Sequence, residues 1–321
     1  VRATFHRHRL APTARGSVVS VGVFDGVHVG HREILARNVA RARELDLEPT
    51  VVTFRRHPKR LLLGRAPKAL TSLDHRIALF RRAGIEHVVA LKFDEELRAM
   101  TADAFAEEIL RAGLDARQLV LGFDSKFAKN REGTPQWLRE HGWPVEVVDQ
   151  VIVGQRPVSS TAIREAVELG DLEAAAAMLG RPVSVLGRVV HGRALGRELG
   201  FPTANLNLSH ELHPPPGVYA CRARVVGTGA GPDGSWAVAN IGSRPTVAPG
   251  GDGLPTIEIH LLDWSGDLYG QRLEVLFHAR LRAERRFEGV DELARQIRRD
   301  VGAAREVLER DGIGSGTASG S

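Results

Sequence analysis

The chain has 321 residues, enough for about two domains, and 43% of them are apolar, which suits a sizeable core. Its formal charge is +5, but acidic and basic residues are interspersed; the long basic blocks of a nucleic-acid footprint are absent, so no nucleic-acid partner is expected. One cysteine, Cys221, excludes an internal disulfide framework, no apolar run approaches the ~18 residues of a membrane span, and "VRATFHRHRLAPTARG" has no apolar stretch of a secretory signal behind it, so the expected location is cytoplasmic.

From residue 18 to about 180, short β-rich runs alternate with helix-period segments. "SVVSVGVF" reads as a strand, and "HREILARNVARARELD" as a helix beginning near His31 with Ile34, Leu35, Val39, Ala42 and Leu45 on one face. "TVVTF" follows as a strand, then "SLDHRIALFRRAG" as a helix with Gly84 as its C′ stop. Next come the strand "HVVALKF", a helix over 102–112 ended by Gly113, and the strand "QLVLG". Thr134 and Pro135 read as the N-cap and N1 of a short helix, before the strand "VEVVDQ". Such alternation predicts an α/β unit, a Rossmann-like domain with a parallel sheet, whose ligand crevice lies beyond the carboxyl ends of the strands.

After Gly180-Arg181-Pro182 the rhythm changes. "VSVLGRVV", "GVYACRARVV", "WAVANIG", "TIEIHLLDW" and "RLEVLFHARL" are strand-like and separated by Gly, Pro and Asp turns. This spacing predicts a compact antiparallel β-barrel, closed by an amphipathic C-terminal helix over about 290–309. Cys221 lies in an alternating strand, so it is expected to pack in the core rather than act as a nucleophile. The expected division is a domain over 15–180, a second over 183–309, and a polar tail over 310–321 that is expected to be disordered.

Two stretches carry chemistry. In "GVFDGVHVGH", Asp25 to Gly30 lie against the start of a helix, where free N–H groups and the positive end of the dipole attract phosphate. Gly26 and Gly30 allow close backbone approach, and His28 and His31 can donate hydrogen bonds to charge developing on a phosphate. The blander alternative is that His31 caps the helix and His28 is a loop residue. In "GRVVHGRALGRELGFPTANL", glycines and arginines suggest a cationic loop able to cover phosphates. Thr203 and Asn205, two apart in an extended segment, offer a hydroxyl and an amide oxygen on one side, which suits Mg²⁺. Glu258 in "TIEIHLLD" is either a general base or an outward solvated carboxylate, and pattern alone favours the second.

These residues carry a resemblance. "FDGVHVGH" resembles the signature of the FAD synthetase branch of the adenylyl/cytidylyl-transferases, and "VVTFRRHP", "LTSLDHR", "VLGFDSKFAKNREG" and "VSSTAIREAVELGDLEAAAAMLGRP" resemble its later motifs in order. The resemblance implies that His28 and His31 contact the phosphates of ATP, with Gly22, Phe24, Asp25, Gly26 and Gly30 lining the site. Ser159, Ser160, Thr161 and Arg164 would clamp the phosphates, and Asp124 and Phe127 would lie in a flavin loop. Ser160 and Thr161 also read as N-caps of a helix beginning near Thr161.

"GRVVHGRALGRELGFPTANL", "GVYA", "ANIGSRPTV", "IEIHLLDWSGDLYG" and "LRAERRFEGVDELARQI" are similar to the riboflavin kinase module from end to end. That implies Thr203 and Asn205 on Mg²⁺ with ATP, Glu258 as base toward the ribityl 5′-hydroxyl, Gly192, Gly196 and Arg197 over the phosphates, and Arg244, Pro245 and Thr246 beside the flavin. Together the modules resemble the bacterial bifunctional riboflavin kinase/FAD synthetase family over about residues 15–309. ATP, riboflavin, FMN and FAD would be its substrates and products, with no membrane partner, as a monomer or weak homo-oligomer. The chain departs from the family pattern at Val23 for Asn, Arg56 for Pro, Ser125 for Phe, Ala128 for Gly and Ala162 for a basic residue. Two other readings stay open at this point: a riboflavin kinase with a degraded first domain, and a flavin- or nucleotide-sensing protein without turnover.

Overall fold

Six short strands in the first half pair side by side, each chain direction the same, into a parallel sheet ordered β1-β4-β3-β2-β5-β6. The strands are β1 (Arg2–Thr4), β2 (Ser17–Val21), β3 (Glu48–Phe54), β4 (His87–Leu91), β5 (Ala116–Gly122) and β6 (Val145–Val148). The computed structural model describes residues 1–64, 66–191, 200–208, 211–227, 231–242, 256–310 and 312. The chain divides into two compact units, Val1–Ala162 and Ile163–Ser321.

Both faces of the first sheet are covered, so its strands read as continuous apolar runs rather than alternating ones. Val19, Val52, Val89 and Leu119 face one core, and Val18, Val51, Val88 and Val120 are equally buried on the other side. Helix α1 (Val29–Leu45) buries Leu35 and Ala42 as its period predicts. Leu45, also expected on that face, is instead exposed, and Asn38 takes an inner position. Its Nδ2 donates to the carbonyls of Val18 and Thr50 and to Ser20 Oγ, clamping the helix to β2 and β3. The strand order reverses direction between β2 and β5, which places the crevice of such a sheet above β2.

Two short helices, α2 (Lys59–Leu63) and α4 (Glu95–Ala99), come before and after α3 (Leu73–Arg82) in the chain; Gly84 ends α3 with φ 90°, and Thr134 caps α6 (Pro135–Glu140), both as expected. Two sequence readings need correction. The edge strand β1 was hidden, because three residues with no periodicity carry no signal. It is pinned by Arg2 to Glu48 and His87 and by Thr4 to His87. The helix expected to stop at Gly113 begins as α5 (Ala102–Ala104), widens into a π-turn over Phe105–Ala112 and runs through Leu114. Asp115, with φ 44°, ends it. Gly113 is needed for close approach, since a Cβ there would meet Leu10 at 3.1 Å.

In the second unit, α8 (Leu172–Leu179) packs on the barrel strands β9 and β14. Two short strands, β7 (Ile152–Val153) and β8 (Arg156–Pro157), precede it in the chain. The barrel is closed in the order β10-β13-β12-β11-β14-β9, from β9 (Val183–Val190), β10 (Ala204–Leu208), β11 (Gly217–Val225), β12 (Asp233–Gly242), β13 (Thr256–Leu261) and β14 (Arg272–Arg282). Every pairing is antiparallel. Strand β10, rich in Asn, was not among the expected strands. Alternation sends Tyr219, Cys221, Ala237, Ala239, Ile257 and Ile259 inward, all fully buried. Cys221 is core, as expected: Sγ donates to the carbonyl of Ala237, and burial pushes the thiol well above its ordinary range. On the outer face, Val218, Ala220, Trp236 and Val238 pack under α9 (Val290–Arg310) through Ala304 and Leu308. The Arg282 guanidinium grips both oxygens of Asp300 on that helix, at 2.8 and 3.0 Å. Most of the tail lies outside the described residues.

Candidate active sites

Above β2 the chain leaves the sheet at Gly22 and enters α1 at Val29. The helix therefore starts two residues earlier than its sequence suggested, and the cap is His28 rather than His31. Nδ1 of His28 accepts from the His31 N–H at 3.3 Å, and the two rings stack with centroids 3.5 Å apart at 17°. The Phe24 ring meets His31 edge-on at 5.1 Å and Phe80 at 5.6 Å. Nδ1 of His31 is buried with no hydrogen-bond partner. Burial, then the neighbouring His28 and Arg76, hold its pKa well below 6.5, so the ring is neutral at neutral pH.

The loop between strand and helix is strained. Phe24 and Val27 have φ of 53° and 42°, a region L-residues avoid and a β-branched one most of all. Asp25 holds it together with Thr71 and Arg76, two side chains that the sequence left without a role. The carboxylate of Asp25, 5% exposed, accepts from the N–H groups of Leu70 and Thr71. Thr71 Oγ1 accepts in turn from the Gly26 N–H. Arg76, also 5% exposed, donates to the carbonyls of Val23 and Phe54 and to Thr53 Oγ1 at 2.7 to 2.9 Å. "LTSLDHR" is thus the scaffold of the loop. Val23 contributes its carbonyl, which any residue supplies.

At the carboxyl end of β5, Phe123 is 48% exposed and Asp124 is exposed beside it. Phe127 points the other way, into the core against Phe105 at 4.9 Å. It pairs with Gly133 through two backbone hydrogen bonds, and a Cβ at Gly133 would collide with its ring. Ala128 adopts φ 64°, ψ −174°, a conformation nearly exclusive to glycine. A larger cleft, about 550 Å³, lies on the same rim, lined by Phe5, His6, Arg7, His8, Arg55 and Lys92 among others.

Helix α7 (Ser160–Leu169) begins one residue before the expected Thr161. Its cap is Ser159, whose Oγ accepts from the Ala162 N–H, while Ser160 Oγ donates to the carbonyl of Asp25. Thr161 is exposed, and Arg164 lies one turn beyond Ser160 on the same helix.

In the barrel the geometry comes from strand pairing. Asn205 on β10 sits directly opposite Glu258 on β13, and Glu258 sits opposite Asn240 on β12. Directly opposed residues share a face with Cβ atoms about 5 Å apart. That face is the outer one, because Ile257 and Ile259 on either side of Glu258 point inward. Thr203, two before Asn205, falls on the same side. A cleft of about 350 Å³ adjoins it, lined by Thr203, Pro202, Leu261, Trp264 and Tyr269 among others. The Tyr269 ring stacks on His191 at 3.9 Å. Gly192, Gly196, Arg197, Arg244, Pro245 and Thr246 lie outside the described residues. Among the described residues no group of three or more His, Cys, Asp or Glu is placed to hold a metal.

A parallel sheet whose rim carries a histidine-capped helix, in one chain with a closed barrel bearing Thr, Asn and Glu on its outer face, defines a two-module protein with a candidate site on each module. The family model for FAD synthetase matches residues 10–162 and that for riboflavin kinase matches residues 179–308. The bifunctional riboflavin kinase/FMN adenylyltransferase of Pseudomonas fluorescens is 41% identical over 94% of this chain and 96% of its own length. Proteins of the same description from Escherichia coli K12 and Bacillus subtilis are 39% and 33% identical, over 91% and 94% of this chain and 93% and 95% of theirs. A solved structure described as a macrolide-efflux protein from Streptococcus pneumoniae matches with TM-score 0.80 and 30% identity, over 95% of this chain and 99% of that one. Among the described residues here, no helix is long and apolar enough to cross a membrane. The chain belongs to the bifunctional riboflavin kinase/FMN adenylyltransferase family, and it is an enzyme with both modules.

Proposed function

We infer that the barrel phosphorylates riboflavin to FMN and the parallel-sheet unit then adenylylates FMN to FAD, with the functional division at 15–180 and 183–309. The observation that carries the first step is the placement of Glu258 directly opposite Asn205 on one outer face. Glu258 takes the proton of the ribityl 5′-hydroxyl as that oxygen attacks the γ-phosphorus of ATP and ADP leaves. Thr203 and Asn205 hold Mg²⁺ through oxygen. Two neutral oxygen donors without a carboxylate cage fit a hard ion that keeps waters and phosphate oxygens in its shell. When bound, the ion neutralises phosphate charge. Trp264 and Tyr269 give the adjoining cleft aromatic walls suited to the purine of ATP. Gly192, Gly196 and Arg197 would cover the phosphates, and Arg244, Pro245 and Thr246 would face the flavin.

In the second step an FMN phosphate oxygen attacks the α-phosphorus of ATP and pyrophosphate leaves. The attacking group is already an anion, so no base is needed, only fixed positive charge and hydrogen-bond donors. The α1 N-terminus, His28, His31 and Arg164 supply these, and Ser159, Ser160 and Thr161 border the same loop. Gly22, Phe24, Gly26 and Gly30 shape the cradle. Asp25, held by residues 70 and 71, fixes its path. On the flavin side, Asp124 and the exposed Phe123 offer contact, while Phe127 anchors the loop that bears them. A reduced core cysteine suits a cytoplasmic enzyme, and small molecules suffice as partners for a monomer or weak oligomer.

The test is incubation with riboflavin, ATP and Mg²⁺, with the flavins then separated by chromatography. FMN appearing first and FAD afterwards is expected. FMN alone would reduce the first unit to a remnant, and unchanged riboflavin would make the chain a binder.

A further inference from the structure

Glu258 has two neighbours on its face, and only one has a role so far. Asn205 flanks it from β10, and Asn240 flanks it at the same register from β12. On β12, Trp236 and Val238 share the outward face with Asn240, but those two lie buried under α9. Asn240, two residues further on, is only partly buried, at the place where that apolar cover has ended. An amide there breaks an otherwise apolar outward row.

We propose that Asn240 is a positioning residue of the kinase reaction, its side-chain amide swinging to donate to the Glu258 carboxylate when substrate is bound and turning the other oxygen toward the substrate hydroxyl. This rests on the reading of Glu258 as the base. The two side chains share no hydrogen bond as they stand in the structure, but directly opposed Cβ atoms about 5 Å apart bring a short amide and a carboxylate into reach by a change of rotamer. The residue type fits the task. A base flanked by a second carboxylate would be opposed by like charge, and one flanked by a cation would be held by an ion pair. A neutral amide orients without adding charge. The strand β12 also leads, two residues later, into the segment that bears Arg244, Pro245 and Thr246.

The experiment measures FMN formation by the full chain and by Asn240→Ala, Asn240→Asp and Glu258→Gln, with kcat, KM for riboflavin and ATP, and pH profiles. The melting temperature of each variant reports whether its barrel is folded, since FMN-to-FAD conversion reads the first unit only. Asn240→Ala is expected to lose about 10- to 100-fold in kcat with KM for ATP within about threefold. Asn240→Asp is expected to move the acidic limb of the kcat profile upward by about one pH unit, since like charge opposes ionisation. The double variant Asn240→Ala/Glu258→Gln should be no slower than Glu258→Gln alone. If Asn240→Ala keeps kcat within twofold while Glu258→Gln is inactive, the positioning role is overturned and the base stands. If Glu258→Gln itself retains activity, the reading of the base fails. A loss in kcat matched by a lower melting temperature and an unmoved pH profile in Asn240→Asp would mark a merely structural residue.

Discussion

In the barrel, strand pairing alone brings Asn205, Glu258 and Asn240 into one row, and each residue keeps ordinary strand geometry. In the parallel-sheet unit, His28 and His31 sit at a loop with two non-glycine residues at positive φ. That loop is held by the buried polar side chains of Asp25, Thr71 and Arg76, with Ser160 on the Asp25 carbonyl. Strained residues cost about 1–3 kcal/mol each and persist where their surroundings over-determine them. The barrel site inherits its rigidity from a closed sheet, whereas the sheet-rim site depends on a few buried polar side chains. The two activities should therefore respond differently to the same insults.

Arg76→Ala gives the largest expected difference. It strips three acceptors of their buried donor, at a cost of about 3 kcal/mol. FAD formation should be lost at a lower temperature than in the parent enzyme, while heat inactivation of FMN formation stays where it was. Equal losses in both activities would break the comparison.

Acid comes next. His87, 2% exposed and beside Arg2, has its pKa lowered to about 4 from 6.5 by burial and then by that cation. Below pH 6.5 the unfolded chain binds a proton that the folded His87 refuses, so stability falls as pH drops from 6.5 towards 4. The loss should reach about 2 kcal/mol at the lower end. His31, lowered in the same direction, adds to it. Denaturation curves between pH 7 and 4.5 should show the first unit weakening, and His87→Gln should flatten the slope. A first unit equally stable at both ends of that range would contradict the assignment.

The smallest effect is stabilising. Ala128→Gly should add about 1 kcal/mol to the first unit, because glycine adopts φ 64° without a Cβ penalty. The rise in melting temperature should exceed that of a control Ala→Gly change at Ala112, in a helical turn, which should destabilise.

The same contrast governs what the sequence disclosed. The parallel sheet was legible because β2 to β6 are apolar runs separated by periodic helices, and the barrel because strands such as Thr256–Leu261 alternate. Strand β1 was not, since its edge position rests on contacts of Arg2 and Thr4 with residues more than 40 positions away. Thr203, Asn205 and Glu258 were recognisable by motif, but only pairing register adds Asn240. Ala128 was visible as a departure from glycine, and the structure supplies its consequence in φ. The cap roles of His28 and Ser159 were misassigned by one to three residues, which is the usual uncertainty of helix ends read from sequence.

The central claim is that one chain carries two distinct sites, one making FMN and one consuming it. Its most direct test mixes two inactive partners: Glu258→Gln, and the double variant His28→Ala/His31→Ala, with riboflavin, ATP and Mg²⁺. Alone, the first should leave riboflavin unchanged yet convert added FMN to FAD, and the second should stop at FMN. Together they should restore FAD from riboflavin. FAD made from riboflavin by either variant alone, or no FAD from the mixture, would contradict the account.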